Sequence, residues 1–214
     1  MKHITFYFDV ISPYAYLAFE RLPEALTGLN YRVTYQPVLF AGLLKHHGQL
    51  GPAEIEPKRS WTYRQVQWLA HELGIEMQLP AAHPFNPLAL LRLAVASQPQ
   101  GLPNRCTTEK LFHHVWRGGQ DAEDPQRLQI LSDLLKPALD PNTVAVKDLL
   151  KAHTELAISK GIFGVPTFEV DGKLFFGLDA LPMLAAYLAG DAWFQSPHWH
   201  TSESLPKGST RMHK

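Results

Sequence analysis

Cysteine occurs once in the 214 residues, at Cys106. A lone cysteine excludes a disulfide framework, a multi-cysteine zinc site and a CxxC redox pair. Charge of one sign is also missing: 20 basic side chains offset 20 acidic ones, which leaves no electrostatic footprint for nucleic acid or an anionic membrane surface. No apolar run approaches the ~18 residues of a membrane span. In the opening stretch MKHITFYFDVISP, Asp9 falls where a signal peptide would carry its apolar region. GxGxxG, P-loop and HExxH motifs are absent, and the adjacent pairs His46–His47 and His113–His114 lack carboxylates at metal spacing, so no metal site is expected. There is neither an internal repeat nor a low-complexity segment. What is present is 45% hydrophobic and 19% charged, with 17 prolines. That composition describes a loop-punctuated globular chain. The expectation is a cytoplasmic protein that handles a small molecule.

Residues 3–9, HITFYFD, are β-branched and aromatic and read as a buried first strand. Ser12-Pro13 then starts a helix, with Ser12 as N-cap and Pro13 at the first helical position, and Gly28 stops it. Residues 31–39, YRVTYQPVL, alternate as a second strand until Pro37. The next hundred residues show helical patterns at 59–73, 86–97, 107–117 and 125–135, separated by joints such as Gly51-Pro52, Leu79-Pro80 and Leu102-Pro103. The second of these takes Asn86 as N-cap before Pro87. Residues 144–160 read as another helix. Two β-prone runs, 165–170 and 173–176, flank Asp171-Gly172 and predict a hairpin with a type I′ turn. A closing helix spans 179–189 with Asp179 as N-cap, and 191–214 reads as a mostly polar tail with scattered aromatics. This order is similar to an α/β, thioredoxin-like fold with an all-helical insertion domain. Residues 1–40 and 141–190 form the discontinuous thioredoxin-like domain, 41–140 the helical insertion domain and 191–214 the tail.

Ser12 sits where the first strand meets the first helix. A helix N-terminus presents unpaired N–H groups and the positive end of a dipole, so a hydroxyl there can help hold an anion such as a thiolate; the same serine also serves as a plain N-cap. Val165-Pro166 either opens an edge strand or, as in thioredoxin-like proteins, holds a cis peptide bond where an extended thiol peptide pairs as an added strand. Gly177-Leu178-Asp179 follows the hairpin. The Leu178 N–H suits a carboxylate and Asp179 suits an α-ammonium, and a γ-glutamyl group carries both; an N-cap aspartate explains the same residues. Lys58 follows Pro57 at a helix start, where the dipole does not favour a cation. Lys45 and Arg92 read as surface charges, Cys106 as an incidental thiol in a loop-like stretch, and Trp61, Trp68 and Trp116 as core.

The segments FYFDVISPYAYLA, EPKRSW, HPFNPLALLRLA, FGVPTF and FFGLDALPML, in order from about residue 5 to residue 190, resemble the 2-hydroxychromene-2-carboxylate isomerases. These belong to the DsbA-like, kappa-class glutathione transferase group. The resemblance implies glutathione as cofactor, with Ser12 holding its sulfur as the catalytic residue. It implies Val165, Pro166 (cis), Gly177, Leu178 and Asp179 along the peptide, and Lys58 and Asn86 facing an aromatic substrate. It also implies a homodimer. Gln49 and Phe176 stand where this family often has Asn and Trp.

The reaction so implied is the reversible conversion of 2-hydroxychromene-2-carboxylate to trans-o-hydroxybenzylidenepyruvate in aromatic hydrocarbon catabolism. Transient thiolate addition makes the conjugated double bond single, so that it rotates. Two rivals share the features: a kappa-class glutathione transferase acting on an electrophile, and a noncatalytic glutathione- or peptide-binding module. The donor for ring opening is not identified by the sequence.

Overall fold

The computed structural model describes residues 1–206 and 208. Its centre is a four-stranded sheet of order β2-β1-β3-β4, built from β1 (Lys2–Phe8), β2 (Tyr31–Pro37), β3 (Thr167–Val170) and β4 (Lys173–Phe176). β1 runs parallel to β2 and antiparallel to β3, and β3 runs antiparallel to β4. The parallel pair needs a crossover, and α1 (Pro13–Ala25) supplies it. The β3–β4 turn has positive φ at both Asp171 (50°) and Gly172 (76°), the type I′ geometry expected of Asp-Gly.

Alternation along β1 sends its side chains to two cores. Phe6 and Phe8 are buried with Phe19, Phe112 and Phe168, while Tyr7 joins Val38, Leu43, Ala157, Ile162 and Val165 on the other face. That second face is covered by α2 (Phe40–His47) and α7 (Val144–Ser159). The larger cluster continues into α3 (Glu56–Glu72), α4 (Leu88–Ala96) and α5 (Arg105–Trp116), with α6 (Pro125–Leu135) at its margin through Leu131. Strands and helices therefore share buried surface, which fixes the helical segments against the sheet. The fold is the thioredoxin-like α/β arrangement.

Several boundaries differ from the sequence reading. Asn86 does not cap α4: Pro87 holds the N-cap position, and Asn86 Oδ1 accepts the Leu88 N–H at 3.1 Å one residue earlier. Cys106 is exposed but lies inside α5, because Asn104 caps that helix by accepting the Thr107 N–H at 2.9 Å. Asp179 is not an N-cap either. Leu178–Ala180 is a single 3-10 turn, and the α-helix proper, α8 (Leu181–Leu188), starts after it. Trp116 is core as expected, whereas Trp61 and Trp68 are 61% and 58% exposed on α3. The tail is less polar in behaviour than in composition. A 3-10 turn at Ala192–Gln195 and α9 (Pro197–Ser204) fold back so that Phe194 is buried and Trp199 lies against Phe175, ring centroids 6.0 Å apart. Residues 207 and 209–214 of that tail lie outside the described residues.

Candidate active site

The loop between β1 and α1 is held from below by a buried carboxylate. Asp9 Oδ1 accepts the Ile11 N–H at 3.1 Å and Oδ2 accepts the Phe40 N–H at 2.9 Å, which ties the loop to the start of α2. Complete burial pushes the Asp9 carboxyl up to about 7, against the downward pull of these backbone N–H groups. Above it, Ser12 caps α1: its hydroxyl accepts the Ala15 N–H at 3.2 Å and donates to the Val165 carbonyl at 3.4 Å. At that length the donated bond is weak, so the hydroxyl can turn to a stronger acceptor at the helix N-terminus.

Val165 and Pro166 are joined by a cis peptide bond opposite Ser12. Among the described residues nothing accepts the Val165 N–H, while Pro166 C=O takes the Gly177 N–H at 2.9 Å. The free donor and the adjoining wall form a cavity of about 770 Å³ lined by Val165, Pro166, Gly177, Leu178, Asp179 and Tyr14, among others. Gly177 has φ of 99°, a region closed to most side-chain-bearing residues. A Cβ there would also run into the Asp179 carboxylate. Asp179 is exposed and makes no ion pair with any described residue.

A second cavity of about 580 Å³ has Asp9, Ser12, Lys58, Arg59, Tyr63 and His83 in its wall. The two cavities share Tyr14, Val165 and Phe176. Phe176 packs at a tilt against Phe163, ring centroids 4.6 Å apart, and forms an aromatic partition between them. Lys58 reaches the smaller cavity from the first turn of α3, exposed and without an ion-pair partner among the described residues. Asn86 lines neither cavity.

Sequence reasoning missed three residues of this wall. His83 Nε2 lies 2.8 Å from the Ile11 carbonyl and its Nδ1 lies 2.7 Å from the Tyr63 hydroxyl. Arg59 donates from Nε to the Tyr63 oxygen at 3.3 Å and from its terminal nitrogen to the His83 carbonyl at 3.1 Å. Burial holds the His83 imidazole below its ordinary value, and the nearby Arg59 cation adds to that. The only available signal was the placement of Arg59 and Tyr63 one turn apart just after Lys58. Nothing local marked His83, which sits in a second cis X-Pro bond, His83-Pro84.

A family model for the DSBA-like thioredoxin domain matches residues 3–189, and the chain belongs to that family. Within it, the chain is similar to two kinds of enzyme. Glutathione S-transferase kappa 2 of Caenorhabditis elegans is 29% identical over 210 residues, covering 88% of this chain and 92% of that protein. A 2-hydroxychromene-2-carboxylate isomerase of Sphingobium xenophagum is 27% identical over 195 residues, covering 87% of this chain and 98% of that protein. A solved structure of a 2-hydroxychromene-2-carboxylate isomerase shares the fold with a TM-score of 0.73 at 22% identity, over 95% of this chain and 100% of that one.

Proposed function

We propose that this protein is a glutathione-dependent isomerase that interconverts 2-hydroxychromene-2-carboxylate and trans-o-hydroxybenzylidenepyruvate. The observation that carries the reading is Ser12, a hydroxyl on a helix N-terminus that lines a mainly apolar cavity edged by cations and donates to the carbonyl of Val165, a residue this cavity shares with a second, peptide-sized one. The donor set fits glutathione: a free Val165 N–H for its backbone, and an unpaired Asp179 carboxylate, lying where a Cβ on Gly177 would displace it, for its α-ammonium. Bound glutathione would supply the nucleophilic thiolate that the chain, with its one cysteine on α5, does not carry at this site. Ser12 and the α1 N-terminus hold that sulfur as an anion. Lys58 offsets the substrate carboxylate or the enolate charge that develops. Asn86 lines neither cavity, and a substrate-facing role for it rests on the family resemblance alone. Homodimerisation and a cytoplasmic setting belong to the same reading and rest on the family resemblance.

The alternative is glutathione transfer to an electrophile, favoured by the kappa-class relative's 29% identity. Calorimetry and turnover of three proteins test the reading. Wild type is expected to bind glutathione and to be stabilised by it at millimolar concentration. Gly177→Ala is expected to weaken that binding at least tenfold. Ser12→Ala is expected to bind within a few-fold of wild type yet to lose turnover of the chromene by about 10² or more. No binding by wild type at millimolar glutathione defeats the cofactor assignment, and unchanged turnover in Ser12→Ala defeats the role of the hydroxyl.

A further inference from the structure

The hydrogen-bond pattern at His83 fixes where its proton sits. The Ile11 carbonyl can only accept, so Nε2 carries the hydrogen in the neutral ring and Nδ1 is left as an acceptor. The Tyr63 hydroxyl has two acceptors in reach, Nδ1 at 2.7 Å and the His83 carbonyl at 3.0 Å, and the ring nitrogen is the shorter. Tyr63 and His83 both line the smaller cavity and are both only partly buried. A phenol that donates to a neutral imidazole, and accepts from a guanidinium, can exchange a proton with a ligand on its open side. A hydrogen bond made only for packing needs no such exposure to a cavity.

We propose that Tyr63 and His83 form a proton relay for ring opening and closing of the substrate hemiketal. This rests on the isomerase reading above. In the opening direction, the hemiketal O–H gives its proton to the Tyr63 oxygen as the Tyr63 proton passes to His83 Nδ1. The C2–O(ring) bond breaks with its electron pair going to the ring oxygen, and C2=O forms. The proton on Nδ1 then returns to Tyr63, and Tyr63 protonates the departing phenolate. No proton is gained or lost overall and no external acid is needed. Arg59 Nε donates to the phenol oxygen at 3.3 Å and so holds the hydroxyl in position for both transfers.

The relay sets the pH dependence of turnover. His83 faces Arg59 and Tyr63 of α3, the Ile11 carbonyl of the β1–α1 loop, and the rings of Phe85 and of Trp116 on α5. Asp9, Glu54 and Lys58 share the same cavity wall. Protonating Nδ1 removes the acceptor, so turnover falls as pH drops through the range where the imidazole titrates.

Two variants separate relay from scaffold. Tyr63→Phe keeps the ring and loses the hydroxyl. His83→Gln keeps an N–H for the Ile11 carbonyl but cannot take up a proton. Both are expected to bind glutathione within twofold of wild type by calorimetry and to lose turnover by about 10²-fold; His83→Gln also loses the acid limb of the wild-type pH profile. Turnover of Tyr63→Phe within threefold of wild type, with wild type active, overturns the relay and leaves the isomerase reading intact. Loss of glutathione binding together with turnover in both variants assigns these residues to the scaffold and likewise overturns the relay. A wild type that binds glutathione but does not turn over the chromene overturns both.

Discussion

At Asp9, burial and hydrogen bonding pull one carboxyl in opposite directions. Two backbone N–H groups favour the anion, and complete removal from water favours the acid; burial prevails, and the group titrates at about 7 in the folded chain. In the unfolded chain an aspartate titrates near ~3.9. The folded form therefore binds the proton more tightly, so its contribution to stability is full below about pH 4 and is lost as pH rises through about 7. The shift corresponds to about 4 kcal/mol across that window. Asp9→Asn has no such titration and leaves one backbone N–H without an acceptor. Its destabilisation by urea unfolding is expected to be larger at pH 5 than at pH 8. Equal losses at the two pH values would contradict the buried-acid account. At this scale Ser12, Val165, Gly177 and Asp179 were readable because each belongs to a local signal: a cap, an X-Pro step or a glycine turn. Asp9 was not singled out as a site residue, since an aspartate closing a strand is usually solvated and only the fold of α2 over it makes it buried.

The helices that carry the site are positioned by bonds that cross between elements. Trp116 closes α5 and is fully buried; its Nε1–H donates to the Val10 carbonyl at 2.9 Å, and its ring stacks on Tyr16 at 6.4 Å. Val10 lies two residues before Ser12, so α5 and α1 together hold the loop on which Ser12 sits. Trp116→Phe leaves that carbonyl unpaired in the core and opens a small void. It is expected to lower the unfolding free energy by about 2–4 kcal/mol and to shift the denaturant midpoint without changing the slope. A loss below about 1 kcal/mol would mean that the loop is anchored elsewhere. The Ser12 cap and the β3–β4 turn were legible from local chemistry, whereas α2 (Phe40–His47) and α9 (Pro197–Ser204) were not read as helices. The misreadings have specific causes. Asn86 and Asp179 are cap-forming residue types, but a proline N-cap and a 3-10 turn took the positions they would fill. The tail read as polar because its few aromatics follow no helical or strand period, yet Phe194 and Trp199 find Phe175 and Tyr187 in space.

Across the whole molecule, the Gly177 turn and the Val165-Pro166 step meet α3 residues Gln65 and Leu69 around one cavity, while Ser12, the start of α3 and the His83 segment surround the other. The order of elements in the sequence was enough to read the sheet and its connections. It was not enough to read the wall of the second cavity, because His83 meets Ile11 across 72 residues and Tyr63 across 20, with no periodicity to announce either meeting. The single cysteine acquires its meaning at the same scale. Cys106 lies on α5 and lines neither cavity, and the residue at the strand-to-helix junction, in the wall of the smaller cavity, is a serine. On the proposed function, the sulfur comes from bound glutathione and is returned unchanged. The most direct test is therefore a count of thiol against product. With purified protein, excess 2-hydroxychromene-2-carboxylate and a small amount of glutathione, the account predicts many equivalents of trans-o-hydroxybenzylidenepyruvate formed per glutathione, total thiol constant throughout, and no acceleration when glutathione is omitted. Thiol lost mole for mole with product, or equal turnover without glutathione, would contradict it.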